Sequence, residues 1–300
     1  MSQKWPFLAN LKGKVLFDEP LGRHTWLGVG GPADMMFFPE DEEDLRRFLE
    51  TKPKDMPYFV LGGGSNILVR DGGIRGCVIK LSSPYFTQIL FKKNELTCFS
   101  GMPNSYLKKI LPEYHIGGLE FLASIPGTVG GLVKTNAGCF SKELKDVLLK
   151  ARIMDASGSI KEVLPEELHL SYRSSSFAKD WIVIALTLKS TNSPKDEILN
   201  TLETQALYRK LHQPVGEKTA GSLFKNPAGY HAWELIKQSG VDGLRVGGAK
   251  LSDKHCNFMV NTGTASSEDL ETLGNQIAQT VKEKTGVLLD WEVEKVGQNK

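Results

Sequence analysis

Leu61-Gly-Gly-Gly-Ser-Asn-Ile-Leu-Val69 decides how this chain is read. An apolar run enters three consecutive glycines, Ser65 and Asn66 follow with hydrogen-bonding side chains, and a second apolar run leaves. Glycine reaches positive φ at little steric cost and carries no side chain, so such a turn can aim backbone N–H groups at an anionic ligand. A plain hairpin turn rarely needs all three glycines. The stretch is therefore a candidate diphosphate cradle. Outward from it, glycines cluster again at 28–31, 72–76, 117–118, 127–131 and 240–248, mostly beside short apolar runs.

A second small-residue stretch, Phe121-Leu-Ala-Ser-Ile-Pro-Gly-Thr-Val-Gly-Gly131 followed by Asn136-Ala-Gly138, has a rigid Pro126 and few charges. It suits a flat ring, and equally a buried crossover turn. Gly28-Val-Gly-Gly-Pro-Ala33 fits G-x-G-x-x-[GA] in form, but a dinucleotide fingerprint needs a strand before it and a helix opening within it. Pro32 leads instead into Met35–Phe38, an apolar run ending at Pro39 that reads as a strand. With no G-x-x-x-x-G-K-[ST] either, a P-loop nucleotidase has no support.

Composition sets the outer bounds. Of 300 residues, 40% are hydrophobic and 24% charged, an ordinary globular balance that excludes a disordered or low-complexity chain. Thirty-seven basic against 35 acidic residues give +2, so no strong positive field points to nucleic acid or a membrane surface. The longest notable uncharged run, Phe121–Val133, is broken by Pro126 and glycines and is too short to span a bilayer. Lys4, Lys12 and Lys14 break up the apolar residues of the N-terminus, which does not read as a signal peptide, so a cytoplasmic location is expected. Cys77, Cys98, Cys139 and Cys256 form no C-x-x-C pair and the six histidines no H-x-x-x-H. Reduced, partly buried thiols and no metal are expected.

The first two thirds reads as short strands at Met35–Phe38, Tyr58–Leu61, Ile67–Val69, Cys77–Lys80, Leu96–Phe99, Arg152–Asp155 and Trp181–Leu188. Helices are expected at Asp41–Glu50, behind an acidic first turn, and at Ser105–Leu111. After Pro194 a longer helix places Ile198, Leu199, Leu202, Ala206 and Leu207 in register toward Leu211. Another runs from about Ser266 to Thr285, with Leu270, Leu273, Ile277 and Val281 on one face, a capping-box start and Gly286 as its stop. Val287–Val293 alternates like a final strand. The class is α+β, divided as 1–83, 84–192 and 193–300, with the main boundary at the polar Ser190-Thr-Asn-Ser-Pro194.

Taken in order, Leu61–Asn66, Gly118-Leu-Glu-Phe121 with Ile125–Gly131 and Asn136-Ala-Gly138, Ser171-Tyr-Arg173, Ala220-Gly-Ser-Leu-Phe-Lys-Asn-Pro227 and Trp291-Glu-Val293 resemble the UDP-N-acetylenolpyruvoylglucosamine reductase family over about residues 20 to 296. That resemblance implies a two-lobed FAD-binding domain of the PCMH/vanillyl-alcohol-oxidase type, residues 1–83 and 84–192, and an α+β substrate-binding domain, 193–300. It implies non-covalent FAD held by Gly62, Gly63, Gly64, Ser65 and Asn66, with Ile125, Thr128, Gly131 and the Gly30–Gly31 turn around the rest of the cofactor. Covalently flavinylated relatives carry a histidine in the glycine loop, where this chain has Ser65 and Asn66.

The same resemblance implies NADPH as electron donor and UDP-N-acetylglucosamine enolpyruvate as acceptor, with hydride added at C3 and a proton at C2. Arg173 would pair with the substrate carboxylate, Ser222 give the proton, and Glu292 assist carboxylate activation. Tyr172, Lys225, Asn226 and Lys250, with Gln213 and His255, become candidates for the nucleotide-sugar. On composition alone Arg173 is a surface ion pair, Gly221-Ser222 a turn and Glu292 an exposed strand acid. The chain departs from the family at Ser124, at Lys134-Thr135 and at Leu289-Asp-Trp-Glu292, and resembles the shorter type, which lacks an added tyrosine loop between Arg173 and Ser222. A monomer is expected. Two rivals are a flavin-dependent oxidase of the same superfamily and a non-catalytic nucleotide-sugar binder.

Overall fold

A computed structural model describes residues 5–300; Lys4 lies outside them. The chain forms two compact units. One takes the chain up to Leu16, then Met35–Gly63 and Gly76–Ala206; the other takes Phe17–Asp34, Gly64–Arg75 and Leu207–Lys300.

In the first unit a five-stranded antiparallel sheet runs in the order Ile160–Val163, Leu148–Met154, Ile182–Lys189, Glu95–Phe99, Ile89–Lys92. Its central strand is buried from Ile182 to Leu188 without alternation, as expected where both faces are covered. Leu107 and Leu111 of the helix Leu107–Glu113 and Phe121 and Leu122 of Glu120–Ser124 share a core with Leu186 and Leu188. A four-stranded sheet has the order Lys14–Pro20, Pro32–Phe38, Ile74–Ile79, Tyr58–Val60, with Tyr58–Val60 parallel to Cys77–Ile79.

The helix Glu42–Thr51 starts where the sequence places it: the Asp41 carboxylate accepts the Asp44 N–H at 2.8 Å, and Leu45, Phe48 and Leu49 are buried. Phe48 stacks on Phe37 with ring centroids 5.0 Å apart. Asp44, 1% exposed, accepts the N–H groups of Lys12, Gly13 and Glu40 at 2.9, 2.8 and 3.0 Å, fastening the strand entry to the helix start. No local pattern marks that role.

The second unit carries an antiparallel sheet in the order Lys218–Ser222, Phe258–Asn261, Ala249–Leu251, Arg245–Val246. The helices Ala232–Gln238 and Ser267–Thr285 complete its core. The longer helix opens with the expected capping box, Ser266 with Asp269, and closes on Gly286 at φ 74°. Leu270, Leu273, Ile277 and Val281 on its inner face are fully buried. Asp71 adds a second cap, its carboxylate accepting the Ser267 and Glu268 N–H groups, each at 3.2 Å. Arg70 grips Glu271 with two bonds of 2.8 and 2.9 Å.

One expected element is corrected. Val287–Val293 is not a continuous strand: the strand lies at Glu294–Val296 and pairs in parallel with Ile67–Val69. Leu289 and Val293 are buried, as their alternation requires. The backbone changes partner partway, however. Trp291 bridges Phe224, the Glu292 N–H donates to the Leu223 carbonyl at 2.9 Å, and the Glu294 N–H then donates to the Asn66 carbonyl at 3.0 Å.

Burial pushes the Cys77 and Cys98 thiols up to about 12, whereas Cys139 and Cys256 are only partly buried. Iodoacetamide should therefore label Cys139 and Cys256 well before the other two, read by peptide mass spectrometry; four equal rates would contradict this packing. Replacing Asp44 by Ala should leave three backbone donors without their acceptor and destabilise the protein by about 2 kcal/mol in urea unfolding. A loss below about 0.5 kcal/mol would mean that water substitutes for the carboxylate.

Candidate active site

The glycine turn opens from Tyr58–Val60, and its first two residues lie against the second glycine-rich stretch. A Cβ on Gly62 would stand 2.8 Å from the Thr128 hydroxyl and one on Gly63 2.6 Å from the Gly127 Cα. Only glycine permits that approach, and it leaves amides rather than side chains at the surface of the turn. Gly64 has φ +65°, and a Cβ there would collide with the His24 carbonyl; the Gly64 carbonyl accepts the Trp26 N–H at 2.9 Å. Gly30, at φ +133°, lies against Val69, and Gly31 is packed so closely on the Asp71 backbone that no side chain fits. Gly131 differs, because a Cβ there would meet nothing within 4 Å.

Residues 100–104 brace the second stretch. The Asn104 amide donates to the Ile125 carbonyl at 3.1 Å and its backbone N–H to the Gly127 carbonyl at 3.0 Å, while Pro103 bridges Thr128. The Gly130 N–H donates to the Ser100 carbonyl at 2.9 Å. Both Asn104 Oδ1 and Ser100 Oγ are buried with no partner in the protein, an arrangement that calls for an explanation. Packed glycine amides on one side, open space at Gly131 and two orphaned polar atoms fit a cofactor with a diphosphate and a flat polar ring. Asn104 escaped the sequence reading, since nothing local distinguishes it.

Arg173 sits on a turn closed by reciprocal bonds between Ser171 and Ser174, 3.1 and 3.0 Å. Its backbone is left-handed, φ +51°, an uncommon state for a side-chain-bearing residue. The guanidinium lies over the Tyr172 ring, 5.1 Å from its centroid, and donates to the Gly138 carbonyl at 3.1 Å.

In the second unit Ser222 ends the strand Lys218–Ser222, after Gly221 at φ +81° and an irregularity in the register beyond Thr219. Asn257, almost fully buried, holds the next residues: its Oδ1 accepts the Phe224 N–H at 3.0 Å, its Nδ2 donates to the Phe224 carbonyl at 2.9 Å, and its carbonyl accepts the Leu223 N–H at 2.7 Å. The Lys225 N–H donates to the Asp290 carbonyl at 2.9 Å. Glu292 follows, with its N–H on Leu223 and its carbonyl accepting Asn66 Nδ2 at 3.1 Å. The segment that follows Ser222 is thus bonded to the segment Asp290–Glu292, and Glu292 to the Asn66 side chain. Asn257 carries no sequence signal beyond its type.

The remaining candidates are placed less centrally. His255 packs edge-on against Phe258, the residue paired with Ser222, at 4.9 Å. The Asn257 N–H donates to its Nδ1 at 3.2 Å, which puts the ring proton on Nε2, and burial pushes its pKa down, so His255 is neutral. Lys250, paired with Val260 in the sheet, bonds Asp253 at 2.7 Å. Asn226 Oδ1 accepts the Ala232 N–H at 3.0 Å, at the start of a helix, and Gln213 Oε1 accepts Arg209 Nη1 at 2.8 Å. Ser65 is half-buried on the turn. Among the described residues no group of three or more His, Cys, Asp or Glu is arranged to hold a metal, and no helix is long and apolar enough to cross a membrane.

These features define an FAD-binding oxidoreductase built from a PCMH-type domain and a C-terminal α+β domain, and the comparisons with known proteins agree. A model of the FAD binding domain matches residues 33–164 and a model of the C-terminal domain of UDP-N-acetylenolpyruvoylglucosamine reductase matches 213–296. The enzyme of that name from Paramagnetospirillum magneticum is 41% identical over 290 residues, covering 97% of this chain and 94% of its own. That of Rickettsia rickettsii is 41% identical over 292 residues, covering 97% and 99%. The crystal structure of the Thermus caldophilus reductase superposes with a TM-score of 0.82 at 36% identity, covering 96% of this chain and all of its own. The chain belongs to the UDP-N-acetylenolpyruvoylglucosamine reductase family.

If the packing of the two glycine-rich stretches makes the cofactor site, Gly63→Ala should purify with most of its flavin lost, because its Cβ would push Gly127 away. A yellow Gly63→Ala protein with FAD bound one to one would contradict that role.

Proposed function

We propose that this chain reduces UDP-N-acetylglucosamine enolpyruvate to UDP-N-acetylmuramate, with NADPH as electron donor, as a cytoplasmic monomer supplying peptidoglycan precursors. The assignment of 1–83 and 84–192 as two FAD-binding lobes and 193–300 as the substrate domain is part of this reading. What supports it is the bonding of Glu292 to Asn66 at the exit of the glycine turn and to Leu223, the residue after Ser222, together with an arginine held by its own turn. Bound FAD, once reduced, supplies the hydride that adds to C3 of the enolpyruvyl group.

Hydride addition at C3 drives negative charge onto C2 and the attached carboxylate. Arg173 offers the planar pair of N–H groups that matches a carboxylate, stabilising the charge where it develops. Ser222 gives its hydroxyl proton to C2, which completes the saturated lactyl ether. A serine hydroxyl is a weak acid, so its neighbourhood must favour the anion left behind, and the Lys225 ammonium, three residues on, is the candidate. Glu292, held next to Leu223, assists carboxylate activation. Lys225, Asn226 and Lys250 are assigned to the nucleotide-sugar, with Gln213, Tyr172 and a neutral, donating His255 beside them. Gly62–Asn66, Gly30, Gly31, Ile125, Thr128 and Gly131 hold the cofactor without a covalent bond.

Since donor and acceptor would use one site in turn, initial-rate plots against both substrates should give parallel lines; intersecting lines would contradict this order. Ser222→Ala should slow flavin reoxidation by the enolpyruvyl substrate by about 10²–10⁴-fold, the usual range for a lost general acid. Reduction by NADPH should stay within about twofold, because Ser222 has no role in it. Equal loss in both half-reactions would remove Ser222 from the proton-donating role.

A further inference from the structure

Asn136 has no exposed surface, yet it is a polar residue in a left-handed conformation, φ +42°. Its side chain is fully engaged. Nδ2 donates to the Ser171 carbonyl at 3.1 Å and to Glu143 Oε2 at 3.0 Å, and Oδ1 accepts the Lys145 N–H at 2.9 Å. Glu143 Oε2 is held in turn by Lys145 Nζ at 2.9 Å. Ser171 opens the turn that carries Arg173, and Gly138, two residues after Asn136, gives the carbonyl that accepts Arg173 Nη2. Both ends of the arginine are thus fixed by one segment: its backbone through Asn136 and its head group through Gly138.

Neither hold is one that Arg173 needs for burial, because Arg173 is only partly buried. A flexible, charged side chain on a left-handed turn keeps one geometry only where its surroundings over-determine it. Holding a guanidinium in place before a carboxylate arrives lowers the ordering cost of binding and of charge stabilisation. Asn is suited to the task at position 136, since it tolerates left-handed φ better than most side chains and supplies two donors and an acceptor at once. Aspartate has the same shape but turns both donors into acceptors, facing the Ser171 carbonyl and the Glu143 carboxylate.

We propose that Asn136 is the positioning residue for Arg173, its side-chain amide setting the 171–174 turn so that the guanidinium is preorganised for the substrate carboxylate. This rests on the reading of Arg173 as the carboxylate partner. Asn136 touches neither substrate nor cofactor; it acts through the turn.

The test is a double-mutant cycle on the FAD-loaded, full-length protein, comparing wild type, Asn136→Gly, Arg173→Ala and the double variant. Glycine keeps the left-handed backbone while removing the amide, which protects folding better than Asn136→Asp. Flavin reoxidation by UDP-N-acetylglucosamine enolpyruvate should slow at least tenfold in Asn136→Gly, with NADPH reduction and FAD affinity within threefold. In the Arg173→Ala background the same change should add less than twofold. A second readout is binding: Asn136→Gly should weaken UDP-N-acetylmuramate, which bears the carboxylate, at least fivefold more than UDP-N-acetylglucosamine, which does not. Full additivity in the cycle, or equal weakening of both ligands, would reduce Asn136 to a general structural role and overturn the proposal. If Arg173→Ala alone leaves reoxidation unchanged, the reading of Arg173 fails first and the proposal falls with it. Should Asn136→Gly not fold, Glu143→Ala, which removes one of the two acceptors of Asn136 Nδ2, must show the same dependence on Arg173 at smaller amplitude; its absence would be equally fatal.

Discussion

The peptide of Glu292 is held from both sides, its N–H by the Leu223 carbonyl at 2.9 Å and its carbonyl by the Asn66 amide at 3.1 Å. Each bond is worth only about 1 kcal/mol net. Their importance is geometric, because they join three segments far apart in sequence: the exit of the glycine turn, the residue after Ser222, and the approach to the strand Glu294–Val296. Once Glu292 is fixed, the parallel pairing of Ile67–Val69 with Glu294–Val296 follows directly, since Glu294 already bonds Asn66. A shift of one residue in this register would turn Glu292 into the core and Val293 out of it.

Within each unit the candidate site residues are held by buried polar residues. Asn257 holds Phe224 by its side chain and Leu223 by its main chain, Asn104 holds Ile125 by its side chain and Gly127 by its main chain, and the Asn136 side chain holds Ser171. Each is buried, and each replaces backbone pairing where the chain is too irregular for a strand or helix to satisfy its own N–H and C=O groups. In Asn257 and Asn136 one carboxamide both donates and accepts. Functional loops gain rigidity this way without being built into regular elements.

Much of this was legible in the sequence. The glycine turn, the helix behind Asp41 and the capped helix after Ser266 lie within a residue or two of where periodicity and capping put them, whereas the strands Pro32–Phe38, Ile74–Ile79 and Leu148–Met154 begin three or four residues before the apolar runs that mark them. These signals are local. What the sequence hid is long-range: Asp44 reaching residues 12 and 13, Asn257 reaching Phe224, Asn136 reaching Ser171. In each case the residue type is compatible with many roles, and only the tertiary partner decides. Val287–Val293 shows the same limit from the other side, since its burial alternates as a strand's would while its hydrogen bonds change partner at Glu292. The motif segments mark the family, but nothing in them shows how Arg173 or Glu292 is held.

The central claim is that these held groups serve one flavin passing electrons from NADPH to an enolpyruvyl ether. It is tested most directly by the visible spectrum of the purified protein without oxygen, taken before and after NADPH and again after UDP-N-acetylglucosamine enolpyruvate. Flavin bands that bleach with NADPH and return with the enolpyruvyl substrate are the predicted result. Bands that bleach but return only when air is admitted, or a colourless protein that FAD does not restore, would contradict it.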